Sequence, residues 1–247
     1  MNMVMLNFSP KGEKSNSEYF LKLFSRQQTE NISGMGNVQS VFDKIKDADV
    51  IVAAFPLYVD GLPSHMLAFL QGLEEYAKDK PLSGRCYGIV NNGFYEGEQC
   101  KPALDILHVF CIRTGLDWGG GIGIGGGEML GSIRWLPLVS GAMTGLMSVY
   151  QMVFMIAADR FHVTQWIAGI PWRWFFSGVI MWLLFSGGML LRMLQMKAAV
   201  RKGNMFLDVY THPTFCPRFL FVIFADVFWV ISAARNRTGF WNLRKRC

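Results

Sequence analysis

The chain has 247 residues, 51% of them hydrophobic, and a formal net charge of +6 at pH 7, a length that allows one large domain or one domain with an appendage. The basic residues are interleaved with long apolar runs rather than grouped on a polar face, which argues against a nucleic-acid-binding protein. The five cysteines are scattered and form no CxxC pair, which argues against a disulfide framework and against a cysteine-ligated zinc or iron–sulfur site.

Strands and helices alternate along the first half of the chain. Short apolar runs predict buried strands at Met3–Phe8, Asp49–Phe55, Cys86–Val90 and Gly121–Gly125. Apolar residues at helical spacing predict helices between these strands, one ending near Ser25 and others over 38–46, 66–77 and 102–111. This alternation is typical of a doubly wound α/β fold, a parallel sheet with helices on both faces. Ligands of such sheets bind beyond the carboxyl ends of the strands.

Four loops, at 9–17, 56–61, 91–96 and 125–128, follow the predicted strands and are expected to meet at that edge. The first loop offers hydroxyls, an amide and a positive charge at the start of a helix, from Ser9, Lys11, Ser15, Asn16 and Ser17. Helix N-termini with such donors bind phosphate groups. The loop is too short for a Walker A motif, and a capped turn without a ligand remains the alternative.

The next two loops carry aromatic residues beside exposed backbone. Tyr58 and the Phe94–Tyr95 pair offer flat faces that suit a planar heterocycle, although a tyrosine packed on its own loop gives the same pattern. His65 and His108 each stand alone and are interpreted as structural. Residues 121–126 match GxGxxG but lie within the predicted strand, so they are expected to let a ligand ring approach the backbone rather than to bind a dinucleotide.

Together these blocks resemble the flavodoxin-like NAD(P)H-dependent oxidoreductase family over roughly residues 1–130. The first loop, SPKGEKSNS at 9–17, resembles the serine-rich phosphate loop of that family. The stretch ADVIVAAFPLYVDGLPSHMLAFL at 48–70 resembles its P-x-Y block closely, and YGIVNNGFYEGEQ and GGGIGIGGGEM fall where its later strands and loops would lie.

The resemblance implies a flavodoxin-like sheet and an FMN cofactor reduced by NADH or NADPH. The FMN phosphate would lie on Ser9, Lys11, Ser15, Asn16 and Ser17. The isoalloxazine ring would lie against Pro56, Leu57, Tyr58, Val59, Asp60 and Gly61, and against Asn91, Asn92, Gly93, Phe94 and Tyr95. No catalytic side chain is expected, because the flavin carries the chemistry, and the scattered cysteines and lone histidines predict no metal site. One departure concerns the sheet edge: relatives carry a strand where Gln27–Gly36 has no β-branched run, so the sequence leaves that strand in doubt.

The second half of the chain is apolar and basic. Residues 136–247 carry 12 Lys/Arg against 3 Asp/Glu, whereas residues 1–135 carry 12 against 15. Leu136–Ala158 and Trp174–Leu191 contain no Asp, Glu, Lys or Arg and approach the length of a membrane span. They predict a transmembrane hairpin at about 138–158 and 174–191 with both ends in the cytoplasm, since basic residues follow the second segment. Buried helices of a soluble domain or of a dimer interface are the alternative.

The sequence therefore predicts two regions: a flavodoxin-like FMN-binding domain at 1–135 and an apolar, basic helical region at 136–247. The expected function is an FMN-dependent NAD(P)H oxidoreductase that is membrane-associated, faces the cytoplasm and passes electrons to a small or lipophilic acceptor such as a quinone. A homodimer is also considered. Two alternatives stay open, a one-electron carrier without its own substrate and a flavin-free relative that binds a membrane or a partner.

Overall fold

The computed structural model describes residues 1–34, 38–58 and 61–235. Six strands form one parallel sheet: β1 (Met3–Asn7), β2 (Thr29–Asn31), β3 (Val50–Pro56), β4 (Arg85–Asn91), β5 (Asp117–Ile124) and β6 (Val209–Thr211). Their order across the sheet is β2-β1-β3-β4-β5-β6, and every pair is parallel. The order 2-1-3-4-5 of the first five strands defines a doubly wound sheet of the flavodoxin type. The fold is flavodoxin-like.

Helices cover both faces of the sheet. The helices of the first half are α1 (Asn16–Phe24), α2 (Gln39–Lys46), α3 (Ser64–Asp79), α4 (Lys101–Thr114) and α5 (Gly127–Ile133). Alternate residues of each strand enter two separate cores, so that Ile51 and Phe55 join α2, α3 and α4, while Val52 and Ala54 join α1. Strands buried on both faces read as continuous apolar runs, which explains why β1, β3 and β4 are evident in the sequence.

The doubtful edge strand is present as β2. It has three residues, Thr29–Asn31, and pairs in parallel with β1 in the register Met5↔Thr29. Its sequence, Thr-Glu-Asn, is polar because the strand is short and lies at the sheet edge. A second strand that the sequence did not predict, β6, extends the other edge beside β5 in the register Ile122↔Val209.

The second half forms α6 (Leu136–Ala157), α7 (Val163–Gly169), α8 (Trp172–Arg201) and α9 (Arg218–Arg235). The long apolar helical region that the sequence predicts is therefore present. Helix α6 covers nearly all of the predicted 138–158 segment, whereas α8 extends well beyond the predicted 174–191. Its C-terminal half packs on the sheet, where Met189, Met193 and Met196 are buried against α1 and β5. One compact unit spans Met1–Thr214, so this half-helix and β6 complete the sheet domain, and residue 135 is not a structural boundary. A second unit begins at Phe215 and contains α9.

The remaining part of this helical region, residues 136–185, is called the hairpin below. Within the described residues, two helical stretches, Gly127–Ala157 and Val163–Arg201, are long and apolar enough to cross a membrane. In the most apolar 18-residue segment of each stretch, 11% and 17% of the residues are buried inside the protein. Exposed side chains along the hairpin include Leu138, Leu146, Tyr150, Phe154, Ile167, Trp174, Phe176 and Ile180. An apolar surface this extensive marks an interface with protein or lipid.

The hairpin projects beyond the carboxyl edge of the sheet. At the amino edge, the chain that follows α8 bonds to the start of β5, where Phe206 N–H donates to the Gly119 carbonyl at 2.7 Å. At the carboxyl edge, just past β6, the Thr214 N–H donates to the Phe185 carbonyl at 3.1 Å. Residue 185 is therefore level with the carboxyl ends of the strands, and the preceding part of α8 extends past them. Helix α6 packs along that part, with Ser140 against Gly178.

Candidate functional site

Asn7, the last residue of β1, organises the first loop. Its side chain is fully buried, and its Nδ2 donates to the Gly12 carbonyl at 3.0 Å and to Asn31 Oδ1 at 2.8 Å. Its Oδ1 accepts from the Ser9 N–H at 3.0 Å. One amide therefore ties the loop to both β1 and the edge strand β2. No sequence pattern marks Asn7 as a site residue, because it lies inside the strand and before the loop.

The hydroxyls of the loop face the protein. Ser15 caps α1 by accepting from the Glu18 N–H at 3.1 Å, and Ser17 Oγ donates to Asn91 Oδ1 at 3.1 Å. Asn16 packs against Gly131 of α5, where a side chain would collide with it. The groups that can meet an anion therefore include the Asn16 and Ser17 N–H groups at the start of α1, which have no intrahelical partners, and the exposed Lys11 ammonium.

A buried carboxylate lies under this loop. Glu18 is 3% exposed, and its carboxylate lies 3.3 Å from Asn7 Nδ2 and pairs with Lys22 Nζ at 3.4 Å. The Lys22 charge offsets the negative charge that Glu18 places near the N-terminus of α1. The loop thus combines a helix N-terminus with a locally balanced set of charges.

The second loop lies beside the first. Tyr58 and Gly61 exchange backbone hydrogen bonds at 2.9 and 3.0 Å, and the Leu57 N–H donates to the Asn91 carbonyl at 2.8 Å. The Tyr58 ring is 45% exposed at this edge, and Pro56 ends β3 directly before the loop. Val59 and Asp60 lie outside the described residues. His65 contacts the first loop through Nε2, 2.8 Å from the Phe8 carbonyl oxygen, and this contact agrees with the structural role expected for it.

The third loop carries two buried asparagines followed by exposed residues. Asn92 is 2% exposed, and its Nδ2 donates to the Glu96 carbonyl at 2.9 Å. Its Oδ1 is buried and has no hydrogen-bond partner among the described residues, so it is an acceptor that lacks a donor. Gly93 and Phe94 are exposed beside it. This orphaned oxygen is the feature of the edge that most directly fits a ligand N–H.

The glycines of β5 have a different role from the one expected. A Cβ at Gly121 would lie 2.5 Å from Leu104 Cδ2 of α4, and one at Gly123 would lie 2.7 Å from the Gly97 carbonyl oxygen. The missing side chains make room for α4 and for the segment around Gly97, not for a ligand ring. A short helix, α5, also begins at Gly127, although no clear helix pattern follows these glycines in the sequence.

Two residues at this edge had no predicted role, although Glu128 lies in the loop 125–128 that was expected there. Glu128 of α5 lies 3.9 Å from Lys11 Nζ. Burial of Tyr58 raises the pKa of its hydroxyl, and the negative charge of Glu128 raises that pKa further. Glu128 thus connects the first two loops. His212 follows β6, is exposed, and meets the Tyr95 ring edge-on at a centroid distance of 5.4 Å. Glu128 follows the strand β5, so its position at this edge can be predicted from the sequence. His212 follows β6, a three-residue strand that no local sequence pattern marks.

Among its described residues, the edge holds no reactive thiol and no metal cluster. Burial raises the pKa of the Cys100 thiol to about 12, and that thiol lies behind the third loop, fully buried. Among residues 1–34, 38–58 and 61–235, no group of three His, Cys, Asp or Glu side chains is placed to bind a metal ion.

No family model matches the sequence, and no curated protein matches it. Solved structures similar to the chain include the Trp repressor binding protein from Bacillus subtilis, 11% identical over 49% of this chain and 81% of that one, with a TM-score of 0.42. An NADPH-quinone reductase from P. pentosaceus is 16% identical over 49% of this chain and 83% of that one, with a TM-score of 0.40. The apo form of an NADH:FMN oxidoreductase is 17% identical over 48% of this chain and 72% of that one, with a TM-score of 0.37. The last two are oxidoreductases by name, as is the family that the sequence resembles. Similarity this low carries no argument about function, and the fold assignment rests on the strand order.

Proposed function

We propose that the chain is an FMN-dependent NAD(P)H oxidoreductase whose carboxyl edge faces a membrane and reduces a lipophilic acceptor such as a quinone. The observation that carries this proposal is a coincidence of position. The loops after β1, β3, β4 and β5 meet at one edge of the sheet, and the apolar hairpin projects from that same edge.

The residues at the edge fit the two ends of FMN. An anionic phosphate suits the first-turn amides of α1 and the Lys11 ammonium, with Ser9 and Gly12 held in place by Asn7. A flat ring suits the exposed face of Tyr58, and a ring N–H suits the unpartnered Oδ1 of Asn92. When bound, FMN would supply the hydride and electron transfer, while the protein positions it.

Lys11 must leave its ion pair with Glu128 before it can bind a phosphate. The Glu128 carboxylate lies 3.9 Å from Lys11 Nζ, and both side chains are largely exposed. An exposed pair of this kind is worth at most about 1 kcal/mol, so a phosphate can replace it at little cost. Lys11 would then exchange one anion for another, and Glu128 would turn toward solvent.

The lipophilic acceptor is inferred from the hairpin. Helix α6 contains no Asp, Glu, Lys or Arg, and the basic residues Arg192, Lys197, Arg201 and Lys202 lie on the part of α8 beside the sheet or directly after it. Basic residues concentrate on the cytoplasmic side of membrane proteins. The sheet domain would then be cytoplasmic, with its loop edge toward the headgroups. An acceptor dissolved in the bilayer would reach that edge without crossing water.

FMN titration of the detergent-purified protein tests the site. We expect Lys11→Ala and Tyr58→Ala each to weaken FMN binding about tenfold, while the exposed hairpin variant Tyr150→Ala binds as the parent does. Parent-like binding by both site variants would refute the assignment. FMN binding without steady NADH or NADPH oxidation, in the presence of a quinone, would indicate an electron carrier. No uptake of added FMN would leave the flavin-free alternative.

A further inference from the structure

Three buried donors without acceptors lie where the hairpin joins the sheet domain. Arg134 Nε, Trp182 Nε1 and Ser186 Oγ are each shielded from solvent and have no hydrogen-bond partner among the described residues. Ser186 is 1% exposed. Buried polar groups are nearly always hydrogen-bonded, so each exception requires an explanation. Three exceptions in one region, all of them donors, point to a missing acceptor.

Contacts around Tyr19 bring these groups together. The Arg134 guanidinium lies 5.0 Å from the centroid of the Tyr19 ring and 5.1 Å from that of Trp135. Burial raises the pKa of the Tyr19 hydroxyl, whereas the Arg134 charge and the Trp182 indole, which lies beside it without a well-formed hydrogen bond, oppose that rise. Ser186 lies one turn after Trp182 on the same face of α8. We call Tyr19, Arg134, Trp182 and Ser186 the junction cluster.

The packing of α6 on α8 places this cluster at the base of the hairpin. Gly178 of α8 contacts Ser140 and the Leu136 carbonyl of α6. Because the two helices are antiparallel, Trp182, one turn further along α8, lies level with the residues just before Leu136. Arg134 and Trp135 are those residues. The cluster therefore lies directly outside the apolar length of α6.

The chemistry of the cluster selects an anion with several acceptor oxygens. It combines one guanidinium with indole and hydroxyl donors, and Arg134 forms none of the ion pairs found among the described residues. The buried carboxylate of α1, Glu18, pairs with Lys22 instead. A phosphate group satisfies a guanidinium fork and neutral donors together.

We propose that the junction cluster binds the phosphate of an anionic lipid headgroup. A residue directly outside an apolar span lies at headgroup depth, where arginine and tryptophan concentrate. A bound headgroup would fix the base of the hairpin and hold the loop edge of the sheet close to the bilayer. This inference rests on the membrane insertion proposed above, but not on FMN binding.

The test is lipid retention by the full-length protein. The protein is reconstituted in nanodiscs of phosphatidylcholine with or without phosphatidylglycerol, released into detergent and examined by native mass spectrometry. We expect retained phosphatidylglycerol in preference to phosphatidylcholine, and a loss of about tenfold in Arg134→Gln. Arg192→Gln, which removes an exposed charge from the same helix pair, is the matched control and should retain lipid as the parent does.

Ser186→Ala keeps the proposal falsifiable if Arg134→Gln does not fold. If the hydroxyl only lacks a partner, its removal leaves lipid retention unchanged, and the proposal is wrong. If it binds a headgroup, Ser186→Ala retains several-fold less phosphatidylglycerol. Binding of added inorganic phosphate, with no lipid retained, would also overturn the lipid assignment. A protein that washes from membranes without detergent would refute the insertion itself, which separates the two failures.

Discussion

Replacement of Asn7 by alanine should damage both stability and cofactor binding. The substitution removes the partner of the Asn31 side chain at 2.8 Å, of the Gly12 carbonyl at 3.0 Å and of the Ser9 N–H at 3.0 Å. Each lost hydrogen bond costs about 1 kcal/mol, so Asn7→Ala should lower the free energy of unfolding by about 3 kcal/mol. For a chain of this size that is about 6–12 °C in melting temperature.

Differential scanning fluorimetry, with and without FMN, measures both effects. The exposed Gln27→Ala, in the loop before β2, is the matched control and should change stability by less than about 0.5 kcal/mol. We also expect weaker FMN binding by Asn7→Ala, because Ser9 and Gly12 lose their anchor. A melting temperature and an FMN affinity equal to those of the control would refute the role assigned to Asn7.

Three further predictions concern single positions. Glu128→Gln should tighten FMN binding by a few-fold in a fluorescence titration, because it frees Lys11 and removes a negative charge from the phosphate site; weaker binding would contradict this. Ser15→Ala should destabilise the protein by about 1 kcal/mol in a thermal melt through loss of the α1 cap, and Ser15→Gly by only a few tenths; equal effects would argue against capping. Gly178→Leu should lower the melting temperature in detergent, since overpacking costs about 1–3 kcal/mol, whereas Gly187→Ala, with open space around its Cβ, should be neutral or slightly stabilising.

The strands that the sequence reveals are those buried on both faces. β1, β3 and β4 read as apolar runs because α-helices cover both sides of the sheet. β2 does not, since Thr29–Asn31 forms a strand only through its pairing with β1 and the Asn7–Asn31 side-chain bond. Such a strand is specified by tertiary contacts rather than by its own residues.

The apolar second half of the chain shows a different limit of prediction from sequence. A helix surface that faces lipid and one that packs on a sheet need the same residue types, so the uncharged run in α8 does not reveal where one surface ends. In the structure, Ser186 and Met189 already belong to the buried part. For the same reason, β6 and His212, which follow this helix, could not be placed at the loop edge from the sequence.

The sequence predicts where the loops of the candidate site lie better than it predicts the hydrogen bonds that their side chains form. The four loops lie at one edge because parallel strands bring them there. The hydroxyls of Ser15 and Ser17, which the resemblance assigns to the phosphate, also take part in hydrogen bonds within the protein. Sequence spacing places a donor near a site, but the direction of its hydrogen bond depends on partners such as Asn91, which is distant in the chain.

The most direct test of the central claim is a visible absorption spectrum of the protein purified from separated soluble and membrane fractions. The chromophore is then released and identified. We expect a yellow protein in the detergent-extracted membrane fraction that releases FMN at close to one per chain. A colourless protein that takes up no added FMN would contradict the flavin assignment, and a flavoprotein found only in the soluble fraction would contradict the membrane-facing site.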